Sequence, residues 1–175
     1  MDVAETIKAF DMFLSDRKLK FEAVVIGGVA LNLLGVVSRE TRDCDILDPK
    51  IPENIIEAAA EFVKSNPTLD SKWLNNGPDS LKKNLPRDWN KRLQILFQGR
   101  AILFHTLARE DLLKTKVFAY CDRSVDLSDC IALMPTKNEL HQALTWVQKQ
   151  DTNTGWADHV KTQIQELAKR IGHEF

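Results

Sequence analysis

At 175 residues, 28% charged and 43% apolar, the chain has the size and composition of a soluble globular protein, one domain or one domain with a helical appendage. Its formal net charge of −1, from 24 basic and 25 acidic side chains, supplies no global field to attract nucleic acid or an anionic membrane. No apolar run is long enough to cross a bilayer, the start MDVAETIKAFDMFL lacks the basic-then-apolar order of a signal peptide, and the three cysteines show no CxxC spacing, so a cytoplasmic protein with reduced thiols is expected.

Val3, Ile7, Phe10, Phe13 and Leu14 recur at helical spacing, which predicts an amphipathic helix over 3–15. Residues 21–26 are short, apolar and β-branched, which predicts a buried strand stopped by Gly27-Gly28. Residues 29–34 read as a short buried helix ending at Gly35. Over 41–47, Thr41, Asp43 and Asp45 alternate with Arg42, Cys44 and Ile46, the period of a strand. Pro52 opens a helix running to about Lys64. Residues 65–90, broken by Pro67, Asn75-Asn76-Gly77-Pro78 and Pro86, are expected to be irregular with one helical turn. Residues 92–97 and 101–106 flank Gln98-Gly99-Arg100 as a hairpin. Helices are expected over 108–120, 125–133, 138–149 and 157–171. The sum is an α+β chain with a helical C-terminal half, divided into a domain over 1–133 and a helical extension over 134–175 packed on it.

Asp43 and Asp45 share one side of their strand at a spacing of about 7 Å. Two carboxylates that close repel unless something neutralises them, and a divalent cation is the natural partner. Gly27-Gly28 lies between a strand and a helix, where backbone without Cβ atoms can approach a phosphate. Either feature alone is common on turns and solvated edges. In this order on these elements, a phosphate seat beside a metal seat is the minimal equipment for phosphoryl or nucleotidyl transfer.

GGVALNLLG followed by RETRDCDIL resembles the nucleotidyltransferase superfamily, which includes DNA polymerase beta. The form Arg39-x-Thr41-x-Asp43-x-Asp45 resembles bacterial nucleotidyltransferase-like proteins related to the AbiEii toxins. WLNN at 73–76, LPRDW at 85–89, REDLLKTKVFA at 109–119 and the later Arg123, Asp126 and Asp129 are similar to looser landmarks of such families. The resemblance covers roughly residues 20–133. It implies a mixed β-sheet flanked by helices and a metal-dependent transfer of NMP from NTP to a hydroxyl of RNA, protein or a small molecule. Gly27 and Gly28 would hold the triphosphate, with Arg39 and Thr41 beside them. Asp43 and Asp45 would be catalytic and bind Mg2+ or Mn2+, and Lys116 would approach the phosphates, Lys114 competing for that role. Arg39 and Arg42 read equally as braces for the carboxylates or phosphate contacts and as surface ion pairs.

The superfamily usually carries a third carboxylate on a later strand. The strand where it is expected, residues 92–97, has no acid, and Gln94 occupies the inward phase. A glutamine cannot take a proton at neutral pH. The alternative reading is therefore a catalytically degenerate fold that binds nucleotide or a protein partner, as in a toxin–antitoxin or phage-defence pair. Lys82, Lys83, Arg87, Lys91 and Arg92 keep an RNA acceptor open. Trp73 and Trp89 are expected to pack the long loop onto the sheet in preference to stacking on a base, Cys44 to be a core thiol, and His105 to be an interior histidine, with lining the cleft as its alternative. Trp146 is expected on the apolar stripe of a C-terminal helix.

Overall fold

The computed structural model describes residues 2–41 and 43–175. Among these, the chain forms seven α-helices and one five-stranded mixed sheet, an α+β architecture. No helix is long and apolar enough to cross a membrane. The chain divides into two compact units, Met1–Lys83 with Asn90–Leu107, and Asn84–Trp89 with Ala108–Phe175.

The first unit opens with α1 (Val3–Asp16), capped by Asp2, whose carboxylate accepts the Glu5 N–H at 3.1 Å. Then come β1 (Phe21–Ile26), α2 (Gly27–Leu33), β2 (Cys44–Asp48), α3 (Glu53–Lys64), β3 (Leu74–Asn75) and the hairpin β4 (Gln94–Gln98) and β5 (Ile102–Thr106). The strand order is β3-β2-β1-β5-β4, with β1 antiparallel to β2 and parallel to β5. Ala23 and Val25 of β1, Cys44 and Ile46 of β2, and Ile102 and Phe104 of β5 turn to one face and join α1 and α3 in the core. Val24, Ile26, Asp45, Leu103 and His105 take the opposite phase, as strand alternation requires. Trp73 is fully buried against Phe10 and Phe62, at ring separations of 5.0 and 6.0 Å, so it packs its loop into the core as expected.

Three expectations are corrected by the register. The acidic strand begins at Cys44, so Thr41 and Asp43 precede it. Its antiparallel partner β1 ends at Ile26, opposite Asp45, because Gly27 turns the chain into α2, and no ladder remains for earlier residues. The long segment after α3 contains a two-residue strand, β3, paired parallel with β2, and two 3₁₀ turns, Asp79–Lys83 and Trp89–Lys91. Gln94 lies on the edge strand and is exposed, its register partner being Thr106.

One buried acid fixes the hairpin. Asp11 of α1 accepts the backbone N–H groups of Arg100, Ala101 and Ile102 at 2.9, 2.8 and 2.8 Å. Burial alone would raise its pKa. The three amide donors and nearby Lys20 outweigh that and hold it below the ordinary aspartate value.

The second unit contains α4 (Arg109–Arg123), α5 (Leu127–Ala132), α6 (Lys137–Val147) and α7 (Trp156–Arg170). A capping box between Thr136 and Glu139 starts α6, and Glu139 also accepts from Arg109 at 2.9 Å. Trp156 donates to the Val147 carbonyl at 2.9 Å, which ties α7 to the end of α6. Trp146 is half-buried and packs edge-on against Phe118.

Candidate active site

Gly27 has φ +77°, a left-handed conformation that disfavours side chains. A Cβ there would lie 2.6 Å from Asp45 Oδ2. The next residue meets a different wall: a Cβ on Gly28 would stand 3.0 Å from Thr41 Oγ1 and 3.8 Å from Arg39 Nη2. Five of the seven residues singled out by sequence, Gly27, Gly28, Arg39, Thr41 and Asp45, are thus gathered around one turn. Two glycines are needed because a carboxylate and a threonine approach the backbone from separate directions.

The supporting contacts are local. Asn32 of α2 donates to the Arg39 carbonyl at 3.1 Å, which ties the returning loop to the helix. Thr41 is buried, and its hydroxyl donates to the Asp43 carbonyl at 3.4 Å. Asp43 is exposed just before β2, and Asp45 is half-buried within it. Cys44 between them is completely buried. Its thiol pKa is pushed far up, first by burial and then by the charges of Asp45 and Asp43. Arg42 lies outside the described residues.

Asn75 and Gly77 also belong here, although sequence reasoning did not single them out as site residues. A Cβ on Gly77 would come within 3.8 Å of Asp45 Oδ1, the oxygen opposite the one facing Gly27. The loop is pinned by its asparagines. Asn75 Oδ1 accepts the Gly77 N–H at 2.7 Å. Asn76 accepts from Ile51 N–H at 2.8 Å and donates to the Ile46 and Pro49 carbonyls at 2.9 and 3.0 Å. The signal was Asn-Asn-Gly-Pro, whose side chains hydrogen-bond nearby backbone.

Lys116 is placed in the second unit. It is buried on α4, with its ammonium 2.8 Å from Asp129 Oδ2 and 3.3 Å from Asp126 Oδ2. Arg123 is exposed and pairs at 3.8 Å with Asp122. Lys114 lies 3.8 Å from buried Asp111. Of the basic run, Lys82 bridges Asp48 and Asp79 at 3.0 and 2.7 Å.

Among the described residues, no group of three or more His, Cys, Asp or Glu side chains is gathered to hold a metal. Magnesium does not require one, since it keeps several waters and takes one or two carboxylates with substrate phosphate oxygens. Asp43 and Asp45 are the two acids beside the turn that could contribute to a site of that kind. The family model described as "Nucleotidyltransferase of unknown function (DUF6036)" matches residues 2–137. No curated protein and no solved structure matches the chain.

Proposed function

The chain belongs to this family of nucleotidyltransferases of unknown function, and from that premise we propose that it transfers a nucleoside monophosphate from an NTP to a hydroxyl group with the help of Mg2+ or Mn2+. The observation that carries the reading is the convergence of Gly27, Gly28, Arg39 and Thr41 on the turn beside Asp45. In this reading the glycine turn accepts the triphosphate on its backbone N–H groups. Thr41 offers a hydroxyl and Arg39 a guanidinium on the same side. Asp43 and Asp45 hold the cation, which supplies charge neutralisation for the phosphate under attack. The acceptor is RNA, a protein or a small molecule. The Arg39-x-Thr41-x-Asp43-x-Asp45 pattern supports a kinship with AbiEii-type proteins and, with it, an antitoxin-like partner.

A second reading is favoured by one observation, the lack of a gathered third acid among the described residues. In that reading the same turn binds nucleotide without turning it over.

The test is calorimetric titration of each NTP with magnesium into the wild-type protein and into Asp43→Asn/Asp45→Asn. Binding that disappears in the double variant supports a nucleotide site at the turn. Absence of binding by any NTP to the folded wild type refutes both readings. Transfer of label from a bound NTP to an acceptor separates the first from the second.

A further inference from the structure

The sheet face that carries Asp45 also floors an open cavity of about 390 Å³, lined by Glu22, Val24, Asp48, Lys91, Ile95 and His105 among others. The register explains why these residues meet. Val24 pairs with Asp48 on one side and His105 on the other, and His105 pairs with Ile95. Pleat alternation puts Glu22, Val24 and Ile26 of β1 on one face, and Ile26 is the partner of Asp45. The cavity therefore begins one pleat along from the acidic turn. Asp45 and His105 are separated by two strand spacings and two residues of rise, a Cα–Cα span of about 12 Å.

His105 was expected to be interior. It is half-buried instead, its side chain 21% exposed, and it faces the cavity. Glu22 Oε1 lies 3.8 Å from its Nδ1, too long for a hydrogen bond. In the tautomer protonated at Nδ1, the Nε2 lone pair is the one that can accept a proton. Around it stand Glu22 from β1, Asp48 from the end of β2 and Lys91 from the 3₁₀ turn, while β4 contributes uncharged Ile95. A cavity of this size is at the small end of the range for small-molecule sites.

Building on the nucleotidyltransferase reading above, we infer that this cavity seats the acceptor, a small hydroxyl compound, and that His105 supplies the base that a third carboxylate would otherwise provide. The acceptor O–H proton passes to His105 Nε2. The acceptor oxygen forms a bond to the α-phosphorus. The bond from that phosphorus to the α,β-bridging oxygen breaks, and pyrophosphate leaves with the electron pair. The imidazolium returns its proton to solvent. Glu22 is the neighbouring carboxylate, 3.8 Å from Nδ1 of the ring.

The experiment uses the full chain, magnesium and the NTP that binds it, with water, glycerol or ribose as acceptor. NTP binding is read by calorimetry and pyrophosphate release is followed from pH 5 to 9. His105→Ala is expected to bind NTP as the wild type does and to release pyrophosphate about 100-fold more slowly, the lower range for loss of a general base. Added imidazole is expected to restore the rate of His105→Ala, which a merely structural role would not allow. His105→Gln is expected to release pyrophosphate as slowly as His105→Ala. Release by His105→Ala at the wild-type rate, or a slow rate that imidazole leaves unchanged, overturns the inference while leaving the nucleotide site intact. So does a wild type that binds NTP and releases no pyrophosphate to any of the three acceptors. Failure of every NTP to bind overturns the parent reading and this one with it.

Discussion

Gly27→Ala separates the conformational role of the glycine turn from its functional one. Gly27 and Gly35 both have positive φ, +77° and +70°. A Cβ on Gly35 meets nothing within 4 Å, whereas one on Gly27 meets Asp45 Oδ2 at 2.6 Å. Left-handed backbone at a residue with a side chain costs about 1–2 kcal/mol in either place. For a chain of this size that is a melting temperature lower by about 2–8 °C in both variants. The additional clash at Gly27 is with the far end of a side chain, and a rotation of the Asp45 carboxylate relieves it. Its energetic cost is small, but the oxygen no longer stands where it did. The expected result is two variants of similar stability, of which only Gly27→Ala loses magnesium–NTP binding. Thermal denaturation gives the first quantity and calorimetry the second. Equal binding by both variants, or equal loss, would refute the assignment of the close approach between Gly27 and Asp45 to nucleotide binding.

Asp11→Ala strands three backbone N–H groups, two of them buried, and is expected to cost about 3 kcal/mol or more in denaturant unfolding, since each charge-assisted bond is worth about 1.5–3 kcal/mol. Because its folded pKa is depressed, the contribution of Asp11 is complete above the unfolded aspartate value and is lost as pH falls through the lower folded one. Asp11→Asn is therefore expected to flatten the acid limb of a melting-temperature profile below about pH 4. In the second unit, Asp129→Asn leaves the buried Lys116 with only the longer contact to Asp126, and a loss of about 3–5 kcal/mol is expected by the same measurement. All three cysteines are buried, and burial pushes Cys121 and Cys130 up to about 12 and Cys44 higher. Iodoacetamide at pH 8 is expected to leave all three unmodified in the folded protein and to label all three after unfolding, as read by intact-mass spectrometry.

The elements most legible in the sequence were those whose signals are local. Residues 21–26 form a strand over those same residues because an apolar β-branched run meets a glycine pair that ends it. The convergence around Gly27 was partly legible, since alternation turns Asp45 away from Cys44 and a short returning loop brings Thr41 back toward the turn. Other features depend on partners distant in sequence. Leu74–Asn75 is too short to carry a period and becomes a strand only because β2 offers it an edge. Asp11 and Lys116 left a different trace. Both fall in the buried phase of amphipathic helices, beside Phe10 and Leu14 in one case and beside Leu113 and Val117 in the other. A charge in that phase must be satisfied from elsewhere, but the sequence does not name the partner. The partners are the amides of residues 100–102 for Asp11, and Asp129 with Asp126 for Lys116.

The position of Asp45 depends on the same pleat that builds the core. Cys44 and Ile46 are buried on the helix-covered side, so Asp45 must point to the other face. The antiparallel register then sets it opposite Ile26, the last residue of β1, and hence against the glycine that follows. A slip of one residue would bury Asp45 among Phe10, Phe62 and Trp73 and expose Cys44, a change the apolar core forbids. The register that stabilises the sheet is therefore also the register that brings a carboxylate against Gly27. The bulge between Val24 and Val25 adds a second consequence. It lets Asp48 return to the open face as the partner of Val24, although Asp45 and Asp48, three residues apart, would point to opposite faces of a regular strand. In this way the acidic turn and the cavity lined by His105 share one face of the sheet.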